Sequence, residues 1–155
     1  MPFCIGAHTA FRCPLSDGQR FEDYEIVFPQ PETADTILLT PEGLLRPQER
    51  EPWLAEQDRF TLDHAAFSRL DTIIFEGLCS SSVSLRHRES GQGVRMDFAG
   101  FPMIAFWTAG PFICLEPWHG CAALVDEDNE FHNKHHCIIL HPGKTKTLGY
   151  TVTII

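Results

Sequence analysis

Val94-Arg95-Met96-Asp97-Phe98 alternates apolar with polar residues, and Tyr150-Thr151-Val152-Thr153-Ile154 repeats the pattern further on. A period of two sends successive side chains to opposite faces of an extended chain, so both segments predict strands with one wet face. Short runs rich in β-branched, aromatic and aliphatic residues recur outward from there, at residues 24–28, 36–39, 72–75, 83–85, 104–107, 112–115 and 137–140. Turn-forming groups separate most of them: Ser16-Asp17-Gly18, Pro41-Glu42-Gly43, Ser90-Gly91-Gln92-Gly93 and His141-Pro142-Gly143. Eleven prolines and eleven glycines at such spacing leave little room for long helices. One helical turn is predicted at residues 63–67, with Asp63 as its N-cap. The charged stretch 46–58, which carries Pro47 and Pro52, predicts a surface loop. No repeat, low-complexity tract or linker divides the chain. The expectation is one all-β domain over residues 1–155, an antiparallel β-sandwich.

Bulk properties narrow the function classes. A chain of 155 residues buries roughly 70% of its unfolded surface. Its 43% apolar and 21% charged content argue against disorder. A net charge of −9, from 12 basic and 21 acidic residues, argues against a nucleic-acid partner. No apolar run approaches the ~18 residues of a spanning helix, and no basic n-region precedes an apolar h-region, so no membrane partner is expected and the cytoplasm is the expected location. The six cysteines (Cys4, Cys13, Cys79, Cys114, Cys121, Cys137) form no CxxC pair and lie mostly in apolar segments, which predicts buried free thiols.

Two ionisable groups interrupt apolar stretches. His8 sits in Ile5-Gly6-Ala7-His8-Thr9-Ala10-Phe11, and Glu116 in Phe112-Ile113-Cys114-Leu115-Glu116-Pro117-Trp118-His119-Gly120. A charge placed in such a run is either satisfied internally or used. An imidazole and a carboxylate held on a sheet beside a tryptophan can move protons on a sugar, so His8 and Glu116 are the candidate catalytic residues. Trp107 and Trp118 are candidate stacking platforms for a sugar ring. Asp71 is a candidate acceptor for sugar hydroxyls and His119 a candidate for the cleft rim, while His64 suits a helix-cap region. The group His132-Asn133-Lys134-His135-His136 with His141 invites a metal reading, but Lys134 within it opposes a cation. Cys114, His119 and Cys121 lack a fourth ligand at matching spacing. No metal and no cofactor is expected.

Several segments together resemble the C-terminal half of the aldose 1-epimerase (galactose mutarotase) family. They are Met1-Pro2-Phe3-Cys4-Ile5-Gly6-Ala7-His8-Thr9-Ala10-Phe11 with Cys13-Pro14-Leu15, Phe21-Glu22-Asp23-Tyr24, residues 94–98 with Gly100-Phe101-Pro102, Cys114-Leu115-Glu116-Pro117-Trp118, and Phe131 and Lys134 leading to Leu140-His141-Pro142-Gly143. The order is consistent over essentially the whole chain and most resembles a bacterial branch with Gly-Gly-His-Pro-Ala-Phe and Glu-Pro-Trp segments. Ala7 and Thr9 stand where that first segment has a glycine and a proline.

The resemblance implies a β-sandwich of the galactose mutarotase type, truncated at its N-terminal side, with His8 as general acid and Glu116 as general base. The expected activity is that of an isomerase, interconverting the α and β anomers of a free aldose. The alternative is a carbohydrate-binding remnant that turns nothing over. In the family an N-terminal half adds a second active-site histidine and an arginine. A sandwich cut on that side predicts exposed sheet edges and a homodimer or higher oligomer.

Overall fold

Periodicity of two dominates the structure as it does the sequence. The computed structural model describes Met1–Ile155. Twelve strands occur in the order β1 (Pro2–Phe3), β2 (Ile5–Gly6), β3 (Thr9–Arg12), β4 (Tyr24–Leu39), β5 (Leu45–Thr61), β6 (Thr72–Glu76), β7 (Ser82–His87), β8 (Gly93–Asp97), β9 (Met103–Gly110), β10 (Phe112–His119), β11 (Ile138–Ile139) and β12 (Thr151–Ile154). Helix α1 (His64–Leu70) joins β5 to β6, and the Asp63 carboxylate accepts from the Ala65 amide at 2.9 Å as its N-cap. No helix is long and apolar enough to cross a membrane.

The first sheet runs β2-β10-β9-β6, with β3 also on β10; the second runs β12-β8-β7-β4-β5; β1 and β11 form a two-stranded ribbon. All strand pairings are antiparallel. The main core lies between the sheets. Ile73 and Phe75 of β6, Ile104 and Phe106 of β9, and Ile113 and Leu115 of β10 meet Ile26 and Phe28 of β4, Val83 and Leu85 of β7, and Met96 of β8. Phe28, Phe60, Phe75 and Phe106 contact one another, mostly edge to face, with centroids 5.6–6.4 Å apart. Such aromatic pairs each contribute about 0.5–1.5 kcal/mol beyond burial of their area.

The residues between these inward positions necessarily point the other way. The outer face of the first sheet therefore carries Thr72, Ile74 and Glu76 on β6, Met103, Ala105 and Trp107 on β9, and Cys114, Glu116 and Trp118 on β10. Part of this face is covered. The long β4 shifts register repeatedly beyond Val27, beside Pro29 and Pro31, and its far end packs over β6. Thr36 Oγ1 accepts from the Ile74 amide at 2.9 Å, and Ile37 and Leu45 join Ile74, Met103 and Ala105 in a second apolar cluster.

Two expectations are corrected. Residues 46–58 are not a loop but most of β5, the edge strand of the second sheet. Prolines and charges are tolerated on an edge, where one side of the strand forms no ladder, so a loop and an edge strand share this composition. The expectation of a sandwich cut open on its N-terminal side is corrected as well. The first residues are paired within the chain: β1 lies on β11, β2 and β3 lie on β10, and the terminal amine donates to the Leu140 carbonyl at 2.6 Å. The six cysteines are unpaired, with Cys13 and Cys114 buried but Cys79 exposed.

Candidate acid–base site

The first motif does not run as one strand. Between β2 and β3 the ladder lapses at Ala7 and His8, yet the register against β10 is the same on both sides, with Gly6 opposite Trp118 and Thr9 opposite Leu115. Ala7 therefore lies opposite Pro117, and His8 opposite Glu116. The lapse has a chemical cause. The Ala7 amide donates to the Pro117 carbonyl at 3.0 Å, but proline has no N–H to return the bond. His8 and Glu116 thus form a non-hydrogen-bonded cross-strand pair, the kind in which side chains approach most closely.

His8 Nε2 lies 3.3 Å from Glu116 Oε1, with the histidine side chain 63% exposed and the glutamate side chain 6% exposed. The carboxylate is the floor and the imidazole the mouth. Burial pushes the Glu116 carboxyl above its ordinary value, partly offset by His8 and by a hydrogen bond from the Trp118 side chain. Cys114, one position along the same face, is held up to about 11 by burial and by Glu116, so it stands as a neutral thiol. The edge of one ring meets the face of the other between His8 and Trp107, with centroids 5.7 Å apart.

An open cleft of ≈ 340 Å³ runs along this pair, with Gly6, His8, Glu116, Trp118 and His119 in its lining. Gly6 is needed for its shape: a β-carbon there would lie 3.0 Å from Trp118 Cδ1 and 3.1 Å from the Pro117 carbonyl oxygen. Gly120, at φ 96°, closes the cleft end, where a β-carbon would collide with Cys4 at 2.4 Å.

Four of the remaining sequence candidates distribute unequally. Trp118 and His119 line the cleft, and Trp107 buttresses His8 from the next strand but one. Asp71 is not brought to this cleft. It ends α1 at φ 62°, accepts from the Thr72 hydroxyl at 2.8 Å, and borders a separate hollow with His64 and Thr108. His64 stacks on Phe21 with centroids 4.2 Å apart, consistent with the cap-region expectation.

The histidine group after β10 behaves differently from its sequence reading. His132 faces Glu130 at 3.7 Å, and Lys134 is occupied by Glu127 at 2.5 Å. His135 and His136 converge on Glu76, a residue of β6 that no local motif singles out. Arg50, placed by the unforeseen β5, completes that cluster.

No protein-family model matches the chain. The chain is 41% identical over 159 residues to Protein LacX, plasmid, and to Protein LacX, chromosomal, both of Lactococcus lactis subsp. lactis, covering 100% of this chain and 53% of each relative. The X-ray structure of a galactose mutarotase related enzyme from Lactobacillus acidophilus matches with a TM-score of 0.85 at 28% identity, over 100% of this chain and 52% of that one. A galactose mutarotase-like protein from Lactobacillus casei matches with a TM-score of 0.82 at 23% identity, over 100% and 54%. The chain thus shares the galactose mutarotase-type sandwich over its whole length, and spans about half the length of these relatives. This corrects the narrower expectation of a likeness to a C-terminal half alone, because the matches take in the chain from end to end.

Proposed function

We propose that the chain carries the acid–base site of an aldose 1-epimerase, an isomerase that interconverts the α and β anomers of a free aldose. The observation that carries this reading is the His8–Glu116 pair, 3.3 Å apart in the cleft beside Trp118, with Glu116 at the floor and His8 at the mouth. Similarity to a galactose mutarotase related enzyme supports the same class. The two oxygens that exchange protons in anomer interconversion, O1 and the ring oxygen, are both bonded to C1. An acid and a base serving them must therefore lie a few ångströms apart, as this pair does.

Ionised Glu116 removes the O1 proton while protonated His8 donates to the ring oxygen. The O1 lone pair forms the C1=O1 double bond as the bond from C1 to the ring oxygen breaks. Rotation about C1–C2 presents the other face of the aldehyde. Neutral His8 then takes back the hydroxyl proton, the ring closes, and the Glu116 carboxyl returns its proton to O1. Each well-placed group contributes about 10²–10⁴-fold. Because burial raises its carboxyl above the ordinary value, Glu116 is a stronger base once it is ionised.

The exposure of His8 at the cleft mouth favours one second reading, a carbohydrate-binding module without turnover. Polarimetry on freshly dissolved α-glucose and α-galactose separates the two. Acceleration that disappears in His8→Ala and Glu116→Ala is the expected result. Saturable sugar binding with no acceleration by folded protein supports the module instead.

We also propose self-association through β12, an edge strand exposed at every residue, with Val152 and Ile154 among the exposed apolar side chains. Light scattering at micromolar concentration should give at least a dimer mass; a strictly monomeric mass contradicts it.

A further inference from the structure

We propose that Glu76, His135 and His136 bind a divalent transition-metal ion of the zinc class, at a site separate from the acid–base pair. His135 Nε2 lies 2.6 Å and His136 Nε2 2.5 Å from the same carboxylate oxygen, Glu76 Oε1. The three donor atoms all lie within 4.8 Å of one another. Zinc asks for ligands at about 2.0–2.2 Å, so a small outward relaxation of these three would seat the ion between them and leave a fourth position open.

Local geometry favours convergence that the sequence alone opposes. Consecutive residues of an extended chain point to opposite sides. His136 instead adopts φ 54°, a left-handed conformation uncommon for a residue with a β-carbon, and both imidazoles turn onto one carboxylate with centroids 4.2 Å apart. The turn is locked from behind, since His119 Nδ1 donates to the His136 carbonyl at 2.7 Å. On the far side of the carboxylate, Arg50 donates to Glu76 Oε2 at 2.6 Å and leaves Oε1 to the imidazoles. An outer partner of this kind orients a ligating carboxylate, although its charge tempers affinity.

Charge and donor type point the same way. Arg50, His135 and His136 all converge on the Glu76 carboxylate, which is the shared acceptor of the cluster. Lys134, the one cation inside the histidine group, is diverted to Glu127. Two imidazole nitrogens and one carboxylate oxygen, without thiolate, suit zinc and its first-row neighbours better than magnesium or calcium. The side chains are 17–29% exposed, so an ion can enter and still be largely desolvated. Once bound, it ties the segment after β10 to β6 and so fixes His119, which lines the sugar cleft.

The test titrates Zn²⁺ into the untagged chain Met1–Ile155 by calorimetry and follows Co²⁺ uptake by its visible absorption. The expected result is one saturable site per chain. Affinity should fall by at least ~10–100-fold, the loss that even an outer partner produces, in His136→Ala and in Glu76→Gln. Saturating Zn²⁺ should raise the thermal midpoint of the wild type and of His8→Ala but not of His136→Ala. Glu76→Gln keeps the size of the side chain, and circular dichroism verifies that it folds. Absence of saturable uptake overturns the site. So does uptake unchanged in both variants, or uptake lost in His8→Ala, which would place the ion in the sugar cleft.

Discussion

Glu116 and Glu76 project from the same outer face of the same sheet, two strands apart, yet their surroundings push them in opposite directions. Glu116 stands opposite β9 at Ala105 and opposite the lapse in the ladder beside Pro117, where burial raises its carboxyl and one exposed imidazole is its nearest ionisable partner. Glu76 is also half-removed from water, but three donors surround it and hold it at about 2. Burial acts on both; the number of donors decides the outcome. A carboxylate whose one ionisable partner is solvent-exposed is poised to exchange protons, whereas one gripped by a guanidinium and two imidazoles is a fixed anion suited to structure or to a metal.

The sharpest way to break this contrast is to remove the poised pair. Glu116→Ala and His8→Ala should each lower catalysed mutarotation by ~10²–10⁴-fold, read by polarimetry. Glu76→Ala should act mainly on stability. It strands Arg50, His135 and His136 together, and we expect a loss of ~1–3 kcal/mol in urea unfolding. A Glu76→Ala protein as stable as the wild type would erase the distinction.

A third effect follows from the direction of the Glu116 shift. Its base form is lost as pH falls through a value above the usual carboxylate range, so catalysed mutarotation should begin to decline at a higher pH than an ordinary glutamate would allow. The smallest effect concerns stability. A carboxyl whose folded-state value is raised stabilises the fold below the usual carboxylate value and loses that contribution as pH rises through the raised one. At neutral pH the ionised group carries a burial penalty, so Glu116→Gln should raise the thermal midpoint by ~1–3 °C while losing activity. A lower midpoint in differential scanning would contradict the raised value.

Much of the first site is legible in the chain because its parts are local. His8 and Glu116 each interrupt an apolar period-two run, and Trp118 follows within two residues. The second sheet's β8 and β12 announce themselves by alternation. What escapes is non-local. β5 looks like a loop because an edge strand and a loop share prolines and charges, and losing β5 loses Arg50. Asp71 opens a strand-like run in the sequence, but a helix end at φ 62° turns it toward another hollow. The Glu76 cluster joins residues 59 and 60 positions apart through a left-handed turn at His136, for which the sequence offers no marker such as glycine. Lys134 argues against a cation only until its pairing with Glu127 is known.

The most direct measurement is polarimetry of freshly dissolved α-galactose with the wild type, Glu116→Ala and Glu76→Ala, from acid to neutral pH. We predict acceleration over the spontaneous rate that is abolished in Glu116→Ala. It should persist in folded Glu76→Ala, and in the wild type it should fall off in acid at a value above the ordinary carboxylate range. Folded wild-type protein that accelerates nothing, or acceleration that survives Glu116→Ala, would contradict the acid–base site.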